Sequence, residues 1–306
     1  MFLTNLIHRG VIEIEGEDRA EFLQGLITND VNLITPTQAI YAALLTPQGR
    51  FLYDLFIVEN ENSYFLDVER DRLEALLKKL TLYKLRSHVT LKSRPDLKVY
   101  ALWDERPISD DYAGMLQPLP ESRNDDSVLH SEERCSETIQ EIIQKACDVY
   151  PDPRLSTLGA RIMVENLQET ATPRDYDLHR LILGIPEGGR DLIPEKTILL
   201  EAGLDDLNVI SWTKGCYMGQ ELTARTKYRG LVRKRLFPVI IEGDAPAEGS
   251  EIFLDRKPVG EMRTSNSGYG LALLRLEARE ANGELLCGNA RLKPYTPGWM
   301  RFEDPS

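Results

Sequence analysis

The order of apolar and polar positions in the first hundred residues predicts several strands and two helices. Apolar runs at 41–45, 51–58 and 63–68 are separated by short polar breaks, and this pattern predicts an antiparallel meander. Apolar residues three and four positions apart predict one helix that begins near Asp18 and a second helix over 73–80. The front of the chain therefore combines sheet and helix.

The last quarter of the chain has a different pattern. Beyond Val232, short β-rich runs follow one another closely, with Gly, Pro and Asn between them. The runs are 237–241, 251–254, 259–264, 270–276 and 290–294. Short strands at such close spacing predict a small β-barrel or a sandwich.

Length and composition indicate a folded protein with about two or three domains. Of the 306 residues, 42% are hydrophobic and 28% are charged, which excludes disorder or coiled coil as a description of the whole chain. The 37 basic and 49 acidic residues give a net charge of -12, which argues against a general nucleic-acid or membrane-surface binder. Any binding site for an anion must therefore be local.

Cysteine usage and the amino terminus predict a cytoplasmic protein. There is no apolar run of about 18 residues, and residues 1–10 lack the pattern of a secretory or import leader. The cysteines are Cys135, Cys147, Cys216 and Cys287. They form no CxxC or Cys/His cluster, so we expect neither a disulfide framework nor a closed zinc site.

An acidic segment lies in the middle of the chain. Residues 104–148 contain twelve acidic and four basic residues, with a helical pattern near 136–147. Such a charge run predicts solvated surface loops, and we assign no chemistry to it.

A second segment reverses the charge of the molecule. Between Lys214 and Arg235 there are seven basic residues and one acid, Glu221. This local excess predicts a site for a limited polyanion, such as a polyglutamate tail, a phosphate or one edge of an RNA. The alternative, that these cations pair with acids elsewhere in the chain, stays open.

Cys216 lies in this basic segment between two glycines. Gly215 and Gly219 permit a tight turn, and a helix is predicted over 220–228. A thiol beside Lys214 and near a helix N-terminus is expected to favour the thiolate, the reactive and metal-ligating form. The alternative is a buried structural cysteine.

Two motifs resemble a known family. The sequence KGCYxGQE at 214–221, together with FLQGLITNDV at 22–31, resembles the YgfZ family. That family binds folate, is similar to the glycine-cleavage T-protein, and assists iron-sulfur cluster assembly. The segments LGIP at 183–186 and LEAGL at 200–204 follow in the order of that family. The resemblance covers the whole chain except the acidic segment.

The resemblance implies an α+β fold with three domains in a ring, in which mixed α/β front domains precede a C-terminal β-barrel. The folate-binding domain would comprise 1–95 and 175–231, the second α+β domain 96–174, and the barrel domain 232–306. Tetrahydrofolate would lie against the first domain, and the signature cysteine would lie near the opening of the ring.

The resemblance also implies the site residues. Cys216 would be the reactive group. The residues implied to bind folate are Thr28, Asn29, Asp30, Asp54, Tyr176, Lys214, Tyr217, Gln220, Glu221 and Arg225. Residues 28–30 also fit a helix C-terminus with an Asx turn, and Tyr176 also fits a helix core.

Asp54 lies where T-proteins resemble GGxxDD, but Tyr53 replaces the neighbouring acid. A single carboxylate weakens the case for aminomethyl transfer, since proton transfer needs a group held in a defined place. Arg9 and Tyr176 align with tryptophans that contact the pteridine in some family members. Tyr176 could stack on that ring, whereas Arg9 could do so only through its guanidinium plane.

The resemblance implies a monomeric accessory protein for iron-sulfur enzymes that uses tetrahydrofolate and indirectly supports tRNA modification. One cysteine cannot supply the four thiolates of a usual cluster, so a transient cluster would be shared with a partner. Cys216 could instead be a redox group. The alternative functions are an aminomethyltransferase, which is an enzyme in the ordinary sense, and, more weakly, a tRNA-binding module. No membrane partner is expected.

Overall fold

Antiparallel strands organise this computed structural model, which describes residues 1–104, 148–230, 232–280 and 283–301. The strands are β1 Phe2–Asn5, β2 Arg9–Glu15, β3 Ile40–Leu45, β4 Phe51–Asn60, β5 Ser63–Glu69, β6 Thr90–Ser93, β7 Lys98–Trp103, β8 Asp148–Pro151, β9 Ala160–Val164, β10 Lys234–Glu242, β11 Glu251–Leu254, β12 Lys257–Asn266, β13 Tyr269–Arg275, β14 Leu285–Cys287 and β15 Ala290–Pro294. The helices are α1 Arg19–Gln24, α2 Leu73–Lys84, α3 Pro173–Ile182, α4 Gln220–Tyr228 and α5 Leu276–Glu280. The helix expected near 136–147 lies outside the described residues.

The first sheet contains the predicted meander. Its strand order is β3-β4-β5-β2-β6, and each neighbouring pair is antiparallel. All 6 residues of β3 are buried because both faces of the sheet are covered. Ala42 and Leu44 pack towards α1 and α2, whereas Tyr41 and Ala43 pack towards the second sheet. The predicted meander is therefore a central layer between helices and a second sheet.

The second sheet has the order β1-β7-β9-β8. Its edge strand β1 pairs with β7, with Leu3 opposite Leu102. This pairing differs from the predicted assignment of all of 1–95 to one unit, because residues 2–5 complete the sheet formed by later strands. Helix α3 begins after Thr172, where a capping box with Asp175 satisfies backbone amides.

The C-terminal strands close into a barrel with the order β10-β13-β12-β11-β14-β15. Closure leaves no unpaired sheet edge, and the interior is filled by apolar side chains such as Phe237, Met262 and Leu274. The predicted mixed front half with a C-terminal barrel is confirmed, and the sandwich alternative is wrong. Within the part of the chain that the structure describes, no helix is long and apolar enough to cross a membrane.

Candidate functional site

Cys216 is exposed in a loop that leads into α4. We call residues 214–218 the cysteine loop. The loop ends at Gly219, the N-cap of α4, which has a φ of 82°. A side chain at Gly219 would place its Cβ 2.5 Å from the carbonyl oxygen of Thr46, so only glycine allows α4 to approach the β3–β4 turn this closely. The exposure of Cys216 excludes the alternative of a buried structural cysteine.

Lys214 points back into the protein. Its Nζ donates hydrogen bonds to the carbonyl oxygens of Gln24, Ile27 and Asn29, each at 2.8 Å. Burial lowers the pKa of Lys214 to about 8, although the nearby Asp30 carboxylate opposes the shift. An ammonium group has three N–H donors, and these three hydrogen bonds use all of them. Lys214 therefore does not fit its predicted role as a folate contact.

The segment after α1 carries Thr28, Asn29 and Asp30, and we call residues 24–30 the anchoring turn. Thr28 Oγ1 donates to the carbonyl of Val209 at 2.6 Å, and Asn29 Nδ2 donates to the carbonyl of Asn208 at 2.7 Å. Asp30 accepts from the backbone amide of Asn32 and caps a short 3-10 helix. These polar groups bind the chain itself, as the Asx-turn alternative expects.

The two motifs that carry the family resemblance are thus in contact. Besides the Lys214 bonds, the Met218 amide donates to the carbonyl of Gly25 at 3.1 Å, and the Ser211 amide donates to the carbonyl of Thr28 at 3.1 Å. The anchoring turn holds the cysteine loop on both sides of Cys216. This contact joins distant parts of the chain, since Lys214 and Gln24 are 190 residues apart.

Asp54 belongs to a buried group of charges that we call the interior ion cluster, and Tyr176 contacts that cluster. Arg9 Nη1 lies 3.0 Å from Asp54 Oδ1, and Arg9 Nε lies 2.5 Å from Asp67 Oδ1. Arg161 bridges Asp67 to Asp152, which also pairs with Arg154. Tyr176 accepts a hydrogen bond from Arg154 Nη2 at 3.1 Å. The cluster residues are Arg9, Asp54, Asp67, Asp152, Arg154 and Arg161.

Aromatic contacts and charge balance complete the interior ion cluster. The guanidinium carbons of Arg161, Arg154 and Arg9 lie 3.7, 4.9 and 5.3 Å from the centre of the Phe56 ring. Burial alone would raise the pKa of Asp152, but the adjacent Arg154 and Arg161 lower it to about 2. Asp152 therefore remains charged inside the protein, between the guanidinium groups of Arg154 and Arg161.

The residues at Asp54 and Tyr176 do not fit a pteridine ring. Each is only 2% exposed. A Cβ on Gly188 would lie 2.3 Å from Asp54 Oδ1, so backbone closes over the carboxylate that Arg9 already binds. The structure does not support the two predicted contacts, because an ion pair and close packing occupy the space that a ligand would need.

One other predicted folate residue lines a described cavity. Asn29 lies in a groove of about 590 Å³ beside the anchoring turn. Its lining residues are Asn29, Leu33, Thr37, Gln38, Ala39, Ile40, Tyr41, Pro151, Pro153, Asn208, Ile210, Ser211, Trp212 and Thr213. Tyr41 connects this groove to the interior ion cluster, since its hydroxyl lies 3.5 Å from Asp54 Oδ2.

The remaining predicted residues lie on or beside α4. Tyr217 is buried, Gln220 is partly buried, and Arg225 pairs with the exposed Glu221 at 3.1 Å. Of the other cations, Arg235 pairs with Asp206, and Lys227 Nζ lies 4.1 Å from the centre of the Trp212 ring. No ion pair joins Arg229, Arg233 or Lys234 to any described residue. Among the residues that the structure describes, the basic segment thus contains cations with an ion pair and cations without one.

Sequence reasoning missed four members of the interior ion cluster, namely Asp67, Asp152, Arg154 and Arg161. Asp67 and Arg161 lie within otherwise apolar strands, where a fully buried charge requires a partner. That placement was the available signal. The identity of each partner has no local signal, since Asp67 and Arg161 are 94 residues apart.

Comparisons with known proteins define the class. Residues 233–302 match the family model for the CAF17 C-terminal beta-barrel domain. The crystal structure of glycine cleavage system aminomethyltransferase T from Bartonella henselae matches with a TM-score of 0.68, covering 99% of this chain and 87% of that chain at 16% identity. The protein therefore has the fold of T-type aminomethyltransferases with a CAF17-type barrel. At this identity, the likeness shows the fold alone.

Two curated relatives define the family. The mitochondrial iron-sulfur cluster assembly factor IBA57 of Mus musculus is 34% identical over 95% of this chain and 83% of its own length. The Homo sapiens protein of the same name is 34% identical over 87% of this chain and 75% of its own length. The chain belongs to the IBA57 family. The predicted T-protein-like architecture is confirmed. The family that these relatives define is IBA57, whereas the motifs predicted the YgfZ family.

The predicted cytoplasmic location is wrong. The mouse, human and Neurospora crassa relatives are all named as mitochondrial proteins. The prediction relied on the absence of a leader pattern and of paired cysteines, and neither feature distinguishes the cytoplasm from another reducing compartment. The relatives point to the mitochondrion.

Proposed function

We propose that this protein is a mitochondrial accessory factor for the assembly or repair of iron-sulfur proteins, with Cys216 as its reactive group. The observation that carries the proposal is an exposed thiol in a loop held at both ends by the anchoring turn. Membership of the IBA57 family supports the same conclusion. Thiolates are the ordinary ligands of iron-sulfur clusters, so an exposed cysteine suits this chemistry.

Cys216 acts as a transient cluster ligand in this proposal. In this ligand exchange a bond forms between a cluster iron and the Cys216 sulfur while the bond from that iron to one thiolate of the partner protein breaks, and the proton of the Cys216 thiol passes to the released thiolate. Among the described residues, the other cysteine is Cys287, which is buried in the barrel. An iron-sulfur protein as partner supplies the remaining ligands. The proposal includes no folate step at Asp54, because the interior ion cluster occupies the surroundings of that carboxylate.

Removal of the thiol tests the proposal. Cys216→Ala should fold normally yet fail to restore iron-sulfur enzyme activity in cells that lack their own family member. Cys287→Ala is the matched control, since it removes a buried thiol far from the cysteine loop and should restore activity. Full restoration by Cys216→Ala would refute the assigned role.

Aminomethyl transfer is not supported by the arrangement of Asp54. Its carboxylate is held by Arg9 at 3.0 Å and is not free to bind a folate nitrogen. Support of tRNA modification and a monomeric state remain predictions about the clients and the assembly of the protein. Both follow from the family resemblance and need separate measurement.

A further inference from the structure

The loop around Cys216 has little packing of its own. A Cβ built on Gly215 would meet no atom within 4 Å, and Cys216 itself is exposed. Because Gly215 and Cys216 are both exposed, we infer that the position of the sulfur depends on the residues that flank them. Those residues are Lys214 on one side and Tyr217 with Met218 on the other.

Of these flanking residues, Lys214 makes three side-chain hydrogen bonds to the anchoring turn. Three carbonyl oxygens of the anchoring turn converge on its Nζ at 2.8 Å each, and charge-assisted bonds of this kind are stronger than neutral ones. The same Nζ lies 5.3 Å from the centre of the Tyr217 ring. One side chain therefore joins the anchoring turn to both sides of Cys216.

We propose that Lys214 is a positioning residue that fixes the Cys216 sulfur by binding three backbone carbonyls of the anchoring turn. The part of this inference that concerns iron-sulfur chemistry depends on the proposed function. The mechanical part does not, because the geometry of the loop is measurable without any partner. All three donors of Lys214 Nζ bind backbone carbonyls, so in this proposal Lys214 acts only through Cys216.

A nitroxide attached to Cys216 measures the mechanical part. Cys135→Ser and Cys147→Ser confine labelling to Cys216, since Cys287 is buried. Lys214→Met should narrow the nitroxide spectrum and accelerate amide exchange at Met218, because the three bonds are lost. Lys214→Gln should give an intermediate spectrum, since its amide retains two donors without the charge.

Lys234→Met is the matched control for lost charge. Lys234 is an exposed cation of the same basic segment and binds none of the three carbonyls. It should leave the nitroxide spectrum and Met218 exchange unchanged. An unaltered spectrum in Lys214→Met, or an equal change in Lys234→Met, would overturn the inference. Should Lys214→Met fail to fold, the comparison of Lys214→Gln with Lys234→Met decides the question.

The functional part uses iron-sulfur enzyme activity in the same deletion cells. Lys214→Met should restore less activity than Lys234→Met although Cys216 is present in both. Full restoration by a Lys214→Met protein with a mobile loop would refute the claim that iron-sulfur activity needs the sulfur fixed by Lys214, and it would leave the proposed function intact. Full restoration by Cys216→Ala would refute the proposed function, whatever the spectra of the Lys214 variants.

Discussion

At the scale of single residues, Arg9 determines what Asp54 can do. Its guanidinium donates to both Asp54 and Asp67, and the side chains of all three are no more than 2% exposed. A carboxylate that is enclosed in this way serves the stability of the fold, because a buried charge without its partner is costly. The Asp54 position resembles a catalytic motif in sequence but is structural in this chain.

The importance of Arg9 can be measured by substitution. Arg9→Met leaves Asp54 without its cation in a site closed to water, and we expect the free energy of unfolding to fall by about 3–5 kcal/mol. Urea denaturation followed by circular dichroism measures the change. Arg19→Met is the control, because its ion pair with Glu59 at 3.7 Å is partly exposed, and its loss should cost about 0–1 kcal/mol. Equal losses in the two variants would contradict the prediction.

At the scale of elements, the sequence predicted what local periodicity encodes. Predicted β-rich runs of five or more positions match the meander β3–β5 and most barrel strands. The predicted helical spacing over 73–80 matches helix α2. Strands β1 and β14, of 4 and 3 residues, are too short to show a period and are defined by their partners. Helix α1 ends at Gln24 although apolar positions continue to Ile27, because the Thr28 amide donates to the carbonyl of Ala43 at 3.0 Å rather than to that of Gln24.

The start of α4 depends on two glycines in close contact. Gly219 has a φ of 82°, and a Cβ there would lie 2.5 Å from Thr46 O and 3.1 Å from Gly49 Cα. Gly219→Ala should therefore destabilise the fold by about 1–3 kcal/mol through backbone strain alone, with the steric clash adding to this loss.

Thermal unfolding of Gly219→Ala and Gly215→Ala provides the comparison. Gly215 lies four residues earlier in open space and outside the positive-φ region, so its substitution should change stability by no more than about 0.5 kcal/mol. If the two variants melt at the same temperature, close contact between α4 and the β3–β4 turn does not constrain position 219.

At the scale of the whole molecule, the interior ion cluster connects two sheets. Arg9, Asp54 and Asp67 come from the first sheet, whereas Arg161 lies on β9 of the second sheet. Asp152 and Arg154 follow β8. The sequence resemblance correctly predicted the architecture, but it could not show that charged side chains fill this interface, because their pairing depends on the assembled sheets.

The filled interface predicts that Asp54 binds no folate. A ligand that binds the folded state raises the melting temperature in a saturable way. Because Asp54 is enclosed, we expect tetrahydrofolate added to the purified protein to cause no such rise that depends on Asp54. A glycine-cleavage T-protein serves as the positive control. Saturable stabilisation that is lost in Asp54→Asn would contradict this prediction. Stabilisation that persists in Asp54→Asn but is lost in Asn29→Ala would instead assign folate to the groove beside the anchoring turn.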